Sequence, residues 1–294
     1  MEGIVVGVDE SPHARAALRC AVELATNDNQ PVTAVMAWGS IDQQRSCDSF
    51  DPQYGEEAAV GVLAGLVAGA LGGHHDVRCV AVCDLPGAAL RDAAKDASLL
   101  VVGARGMGGF RGLMLGSVSR EVLHEAACPV AVVHDDASRS GKLVIVGVDG
   151  SAPLQRAVEW ALEHAAAGAC RSSRCMPGGR RRRRICGTRP HSGPEELARR
   201  ADSFLDAQLA RIDTTGVAVE HRVVADRPSA ALLEPGTLAS LIVVGSRGRG
   251  QLASAVLGSV SDQLAHHATC PWSSCPEPTC HSPRSQQEQP QHIP

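Results

Sequence analysis

Gly103-Ala104-Arg105-Gly106 is followed, after nine residues, by Gly116-Ser117-Val118-Ser119, and the pattern returns as Gly245-Ser246-Arg247-Gly248, nine residues, and Gly258-Ser259-Val260-Ser261. Each copy follows a short apolar run, Leu99–Val102 or Leu241–Val244, and precedes a helical pattern that stops at Cys128-Pro129 or Cys270-Pro271. The halves also agree outside the loop. Ile4-Val5-Val6-Gly7-Val8-Asp9-Glu10-Ser11 matches Val144-Ile145-Val146-Gly147-Val148-Asp149-Gly150-Ser151, and Asp84–Leu90 matches Asp226–Leu232. A repeat of about 140 residues is domain-sized, so the chain reads as two tandem copies of one domain. The copies span residues 1–135 and 142–271. The polar Asp135–Gly141 stretch joins them, and 272–294 reads as an atypical, disordered tail.

Within a half, strand and helix patterns alternate. Ile4–Val8, Val32–Ala37, Val77–Val82, Leu99–Val102 and Val130–Val133 are short runs rich in β-branched residues, as expected of parallel strands buried on both faces. Between them lie helical patterns. The first opens with Ser11 as N-cap and Pro12 at the first helical position; the others are Glu56–Leu71, Gly87–Ala94 and one starting at Ser117. Such alternation predicts an α/β fold, two doubly wound domains with mostly parallel sheets and right-handed crossovers. Ligands of such sheets lie beyond the carboxyl ends of the strands, where strand order reverses. Asp9 and the Gly103 loop both follow strands and so share that crevice.

A glycine-rich loop entering a helix can hold phosphates through backbone N–H groups and the helix dipole. Gly103 and Gly106 suit tight turns and close approach of a ligand. Gly116 opens a helix, and Ser117 and Ser119 add hydroxyl donors. The bland alternative is a turn that only joins strand to helix, and duplication argues against it. Other phosphate motifs fail: no Lys stands before Ser117 or Ser259 as a Walker loop needs, and Gly7 is followed by Asp9 rather than a dinucleotide fingerprint. Asp9 and Asp149 either contact a ribose or cation, or cap the following helix.

Composition narrows the classes. A net charge of −4 and 2% aromatic residues argue against nucleic acid as a partner. No apolar run approaches the roughly 20 residues of a membrane span. Gly61, Gly65 and Gly69 punctuate the apolar helix 58–71, which reads as close packing on a sheet rather than as a membrane dimer. Cys270, Cys275, Cys280 and His281 lack the spacing of a zinc knuckle, so no metal is expected. Cys20, Cys47, Cys79, Cys83 and Cys128 read as thiols of a reducing cytoplasm.

The chain resembles the universal stress proteins, whose nucleotide signature Gly-x2-Gly-x9-Gly-Ser/Thr both halves match; the Gly-Val-Asp-x-Ser opening and Cys-Pro-Val closing also resemble actinobacterial members. The resemblance covers nearly all of 1–134 and most of 142–271. It implies a five-stranded parallel sheet with helices on both faces in each domain, of the adenine nucleotide alpha hydrolase-like type. It implies ATP as ligand, with Mg as its accompanying ion and cyclic AMP as a lesser candidate. Asp9 and Val35 or a neighbour would contact the adenosine. Gly103, Gly106, Gly116, Ser117, Val118 and Ser119 would line ribose and phosphates, with Asp149, Gly245, Gly248, Gly258, Ser259, Val260 and Ser261 as their counterparts. It further implies a stress or dormancy regulator without catalysis, acting through unidentified protein partners and pairing either as a homodimer or domain to domain within the chain. The alternatives are a slow ATPase and a ligand-free dimerisation scaffold. No acid or His stands beside both loops, which favours the regulator.

Two stretches break the repeat. Cys170–His191, with Arg180–Arg184, falls where the second half needs its second strand, and the chain from Trp272 falls where it needs its fifth. Both are rich in Cys, Ser, Arg and Pro, so the second domain is expected to be incomplete and destabilised. Codons can be chosen for both such that the same two-nucleotide offset restores an apolar strand. Residues 171–179 then read Glu-Leu-Val-Ala-Val-His-Ala-Trp, and 270–276 contain Pro-Val-Val-Val-Val. Both therefore read as products of a shifted frame.

Overall fold

The computed structural model describes residues 1–38, 55–72, 76–107, 115–134, 143–148, 154–171, 182–188, 194–212, 214, 217–224, 227–236, 239–246 and 258–276. The first half runs β1 (Ile4–Gly7), α1 (Pro12–Asp28), β2 (Val32–Trp38), α2 (Glu56–Leu71), β3 (Val77–Cys83), α3 (Pro86–Ala93), β4 (Leu99–Gly103), α4 (Ser117–Glu125) and β5 (Val130–Val133). The second repeats it as β6 (Leu143–Val148), α5 (Leu154–Arg171), β7 (Arg182–Thr188), α6 (Pro194–Leu209), β8 (Ala218–Val224), α7 (Pro228–Gly236), β9 (Ala239–Gly245), α8 (Ser259–His267) and β10 (Trp272–Cys275).

All ten strands form one sheet, in the order β3-β2-β1-β4-β5-β10-β9-β6-β7-β8. Pairing is parallel within each half. Among the described strands, only β5 and β10 meet antiparallel, with Ser273 opposite Ala131. Cys128-Pro129 recurs as Cys270-Pro271, so Ala131 and Ser273 are equivalent residues facing each other, and a pseudo-twofold axis passes between them. The two halves are thus joined through the last strand of each, β5 against β10.

Helices cover both faces. On one, α3, α4, α7 and α8 close a continuous core that crosses the seam and includes Leu90, Val122, Leu232, Leu264 and Trp272. On the other, α1 and α2 pack over the first half and α5 over the second, and Trp160 touches both cores.

Three expectations need correction. The second domain is not missing strands two and five: Arg182–Thr188 pairs with β6 and β8, and Trp272–Cys275 is a fully buried strand between β9 and β5. Each slot is flanked on both sides by strands whose backbone N–H and C=O groups need partners, and only another strand can satisfy both rows, whatever its side chains. The misfit shows instead as orphaned polar atoms, since Trp272 Nε1 and Ser273 Oγ are buried without a hydrogen-bond partner. Next, Gly61, Gly65 and Gly69 do not pack on the sheet. α2 buries Ala59, Leu63 and Val67, and a Cβ added at any of the three glycines would meet nothing within 4 Å. Finally, Cys83 is disulfide-bonded rather than a thiol, whereas Cys20, Cys79, Cys128, Cys270 and Cys275 form no disulfide. Cys47, Cys175, Cys280, His281 and Arg180 lie outside the described residues, while Cys170 falls in α5. Among those described, no helix is long and apolar enough to cross a membrane, and no group of His, Cys, Asp and Glu could hold a metal ion.

Candidate functional site

β1 pairs with β2 on one side and β4 on the other, so the strand order reverses between β1 and β4, and Asp9 and the glycine loop leave their carboxyl ends side by side. Two helices begin there. Ser11 caps α1: its Oγ accepts the Ala14 N–H at 3.1 Å, and Pro12 follows at the first position, as the sequence suggests. Gly116 opens α4 in extended geometry (φ −71, ψ 161) with no side-chain cap. The amides of Ser117 and Val118 find no partner among the described residues. Four N–H groups at a helix start lack intrahelical partners, so this end presents donors and the positive end of a helix dipole to the crevice. Ser117 is exposed and Val118 half-buried.

The loop is pinned from three directions. The Ala104 N–H donates to the Val133 carbonyl at 2.7 Å, and the Gly116 N–H donates to the Ala104 carbonyl at 2.7 Å. The Asp9 carboxylate accepts the Ser11 N–H at 3.0 Å on Oδ1 and the Met107 N–H at 3.1 Å on Oδ2. The Ser11 hydroxyl donates to the Arg105 carbonyl at 3.3 Å, and Arg105 Nε donates to His13 Nε2 at 3.2 Å. Asp9 therefore does not cap α1 by side chain, since Ser11 does; it ties the β1–α1 turn to the glycine loop.

The glycines have distinct reasons. A Cβ on Gly103 would lie 2.8 Å from the backbone carbon of His13 and 3.0 Å from the Ala14 nitrogen. One on Gly106 would lie 2.6 Å from Asp9 Oδ2. Gly103 thus leaves room for the start of α1, and Gly106 for the Asp9 carboxylate. Gly116 is looser, with its nearest neighbours at 3.5–3.6 Å. Ser119 turns inward: it is buried, and its hydroxyl donates to the Gly103 carbonyl at 2.6 Å, which reserves it for the loop. Val35 is also buried, and its carbonyl accepts the Val8 N–H at 2.9 Å; its half-buried neighbours Met36, Ala37 and Trp38 are next along the strand.

The second copy keeps the same frame where it is described. Gly245 ends β9, the Ser246 N–H donates to the Cys275 carbonyl at 2.8 Å as Ala104 does to Val133, and Gly258 opens α8 without a side-chain cap. Ser261 is buried like Ser119, and Ser259 and Val260 begin the helix. Asp149 and Gly248 lie outside the described residues. The links through Met107, Ser11 and His13 escaped the sequence reading. The Asp-x-Ser spacing of Asp9 and Ser11, typical of an Asx turn, was the available signal.

The family model for the universal stress protein family matches residues 1–134 and again 142–272. The chain belongs to the universal stress protein family. A universal stress protein of Mycolicibacterium smegmatis is 35% identical over 298 residues, covering 92% of this chain and 95% of that one. One from Mycobacterium tuberculosis is 31% identical over 302 residues, covering 92% and 94%. Among solved structures, a universal stress protein from Archaeoglobus fulgidus superposes with a TM-score of 0.67 at 20% identity, covering 93% of this chain and 98% of that one, which supports the fold. Both family matches fall on the halves defined by the internal repeat, so a glycine loop and an uncapped helix stand at the end of the fourth strand in each.

Proposed function

We propose that the chain binds ATP in the β1–β4 crevice and acts as a nucleotide-sensing, non-catalytic regulator of a cytoplasmic stress or dormancy response. The reading rests on one observation: α4 begins at a glycine without a side-chain cap, beside the pinned segment 104–107, and its first amides, without partners among the described residues, lie at the reversal point of the sheet. An anionic phosphate chain matches those donors. Magnesium comes with the triphosphate, as no protein cluster among the described residues supplies a metal seat. The case against catalysis is local. Asp9, the carboxylate at the loop, has both oxygens engaged by backbone N–H groups, and no acid or His stands in a comparable position beside both loops. Partner proteins would read the nucleotide state.

Ser117→Pro tests this. Proline is at home at the first helical position, and the extended Gly116 tolerates it, so α4 persists while one N–H and one hydroxyl leave the crevice. Losing a charge-assisted hydrogen bond of about 1.5–3 kcal/mol lowers ATP affinity by roughly tenfold to a hundredfold. Calorimetric titration of ATP into the full chain and the variant reads it directly. Absence of binding at millimolar ATP, or equal binding by both proteins, overturns the reading.

A further inference from the structure

We propose that Asp9 acts on the nucleotide through the glycine loop, as a positioning residue that latches the loop in its phosphate-binding shape. Both carboxylate oxygens are engaged by the chain's own backbone: Oδ1 by the Ser11 amide and Oδ2 by the Met107 amide. The carboxylate lies so close to Gly106 that a Cβ there would stand 2.6 Å from Oδ2, so the second glycine of the motif accommodates Asp9. Two more bonds run the same way, from Ser11 Oγ to the Arg105 carbonyl and from Arg105 Nε to His13 Nε2. Together they fasten the turn 9–13 to the loop 105–107.

The loop then sets the helix that follows. Gly116 rests against Ala104, Arg105 and Gly106, and its N–H holds the Ala104 carbonyl. Displacing 105–107 therefore moves the start of α4, and with it the donors that face the phosphates. None of these bonds involves β2, whose Val35 to Trp38 line the other side of β1. A latch and a direct ligand contact thus make opposite demands. The latch requires that loss of Asp9 weakens ATP far more than adenosine, whereas a ribose or base contact costs both alike.

The affinity arm rests on the ATP reading above; a second arm does not need it. Asp9→Asn keeps the shape but replaces one acceptor oxygen by an amide that cannot accept, and Gly106→Ala forces the loop off an intact Asp9. In the full chain, hydrogen exchange of the peptide containing Met107 is expected to speed up by about tenfold or more in both variants without ligand, while core strands stay protected. ATP affinity is expected to fall by about tenfold in both, and adenosine affinity, followed by ligand-observed NMR, to change by less than about twofold. Unchanged loop exchange in both variants overturns the latch, and so does equal loss of ATP and adenosine. If the unmodified chain binds neither ligand, the nucleotide reading falls, and the exchange arm alone decides the latch.

Discussion

Replacing Ser273 by Ala is predicted to stabilise the molecule. Ser273 is the middle residue of the seam, 0% exposed, with Val243 of β9 on one side and Ala131 of β5 on the other, and its hydroxyl has no partner. A hydroxyl buried without a hydrogen bond costs about 1–3 kcal/mol. Deleting one oxygen forfeits a few dispersion contacts and leaves a gap smaller than a methyl group, which costs under about 1 kcal/mol. Ala131, its counterpart across the pseudo-twofold axis, shows that a bare Cβ fits this position. The net expectation is a gain of about 1–2 kcal/mol, seen in urea unfolding of the full chain as a higher midpoint with an unchanged slope. Ala131→Ser in the Ser273→Ala background moves the hydroxyl across the axis and is expected to cancel the gain. A midpoint that stays put or falls in Ser273→Ala would refute the reasoning, because the hydroxyl would then have a stabilising partner.

The motif glycines should separate by mechanism. Gly103→Ala drives a Cβ into the α1 backbone and is expected to destabilise the first domain by about 1–3 kcal/mol, whereas Gly116→Ala, with no neighbour nearer than 3.5 Å, should cost under about 1 kcal/mol in the same unfolding assay. Burial pushes the Cys128 thiol up from 9.0 to about 11. The unfolded thiol therefore ionises first, so its contribution is fully present below pH about 9 and is lost as pH rises to about 11, by up to about 3 kcal/mol. Cys128→Ala should flatten that part of the stability profile, and an equally steep alkaline loss in the variant would count against it.

The first half was largely legible because local and global signals agree there. Its five apolar runs became β1 to β5 within a residue or so at each end, and Ser11-Pro12 opened α1 as read. The glycine spacing located the crevice, but not why each glycine is there. Gly103 and Gly106 face His13 and Asp9, across a sequence separation of about 90 residues that no local pattern encodes. The inward turn of Ser119 was hidden for the same reason, since its acceptor, the Gly103 carbonyl, belongs to another element.

The second half failed in a more instructive way. Strand propensity reports on side chains, whereas a slot between two strands is imposed by backbone groups, so β7 and β10 formed from residues that propensity rejects. What propensity detected was the quality of the fit. At the seam, Trp272 and Ser273, rejected as strand formers, are the residues whose polar side-chain atoms are buried without partners, while the equivalent Val130 and Ala131 bury none. The shifted frame supplies apolar valines at this very place, and the orphaned atoms are what a sheet would show if a polar string occupied a slot shaped for them. At the seam, the residues that break the repeat are thus also the ones with unsatisfied polar atoms, although Trp38 Nε1 in the first half is buried in the same way. Ser273→Ala tests the fit at the seam, and the gene tests the frame: a gene in frame through both stretches, with codons atypical of the family there, refutes the shifted-frame reading.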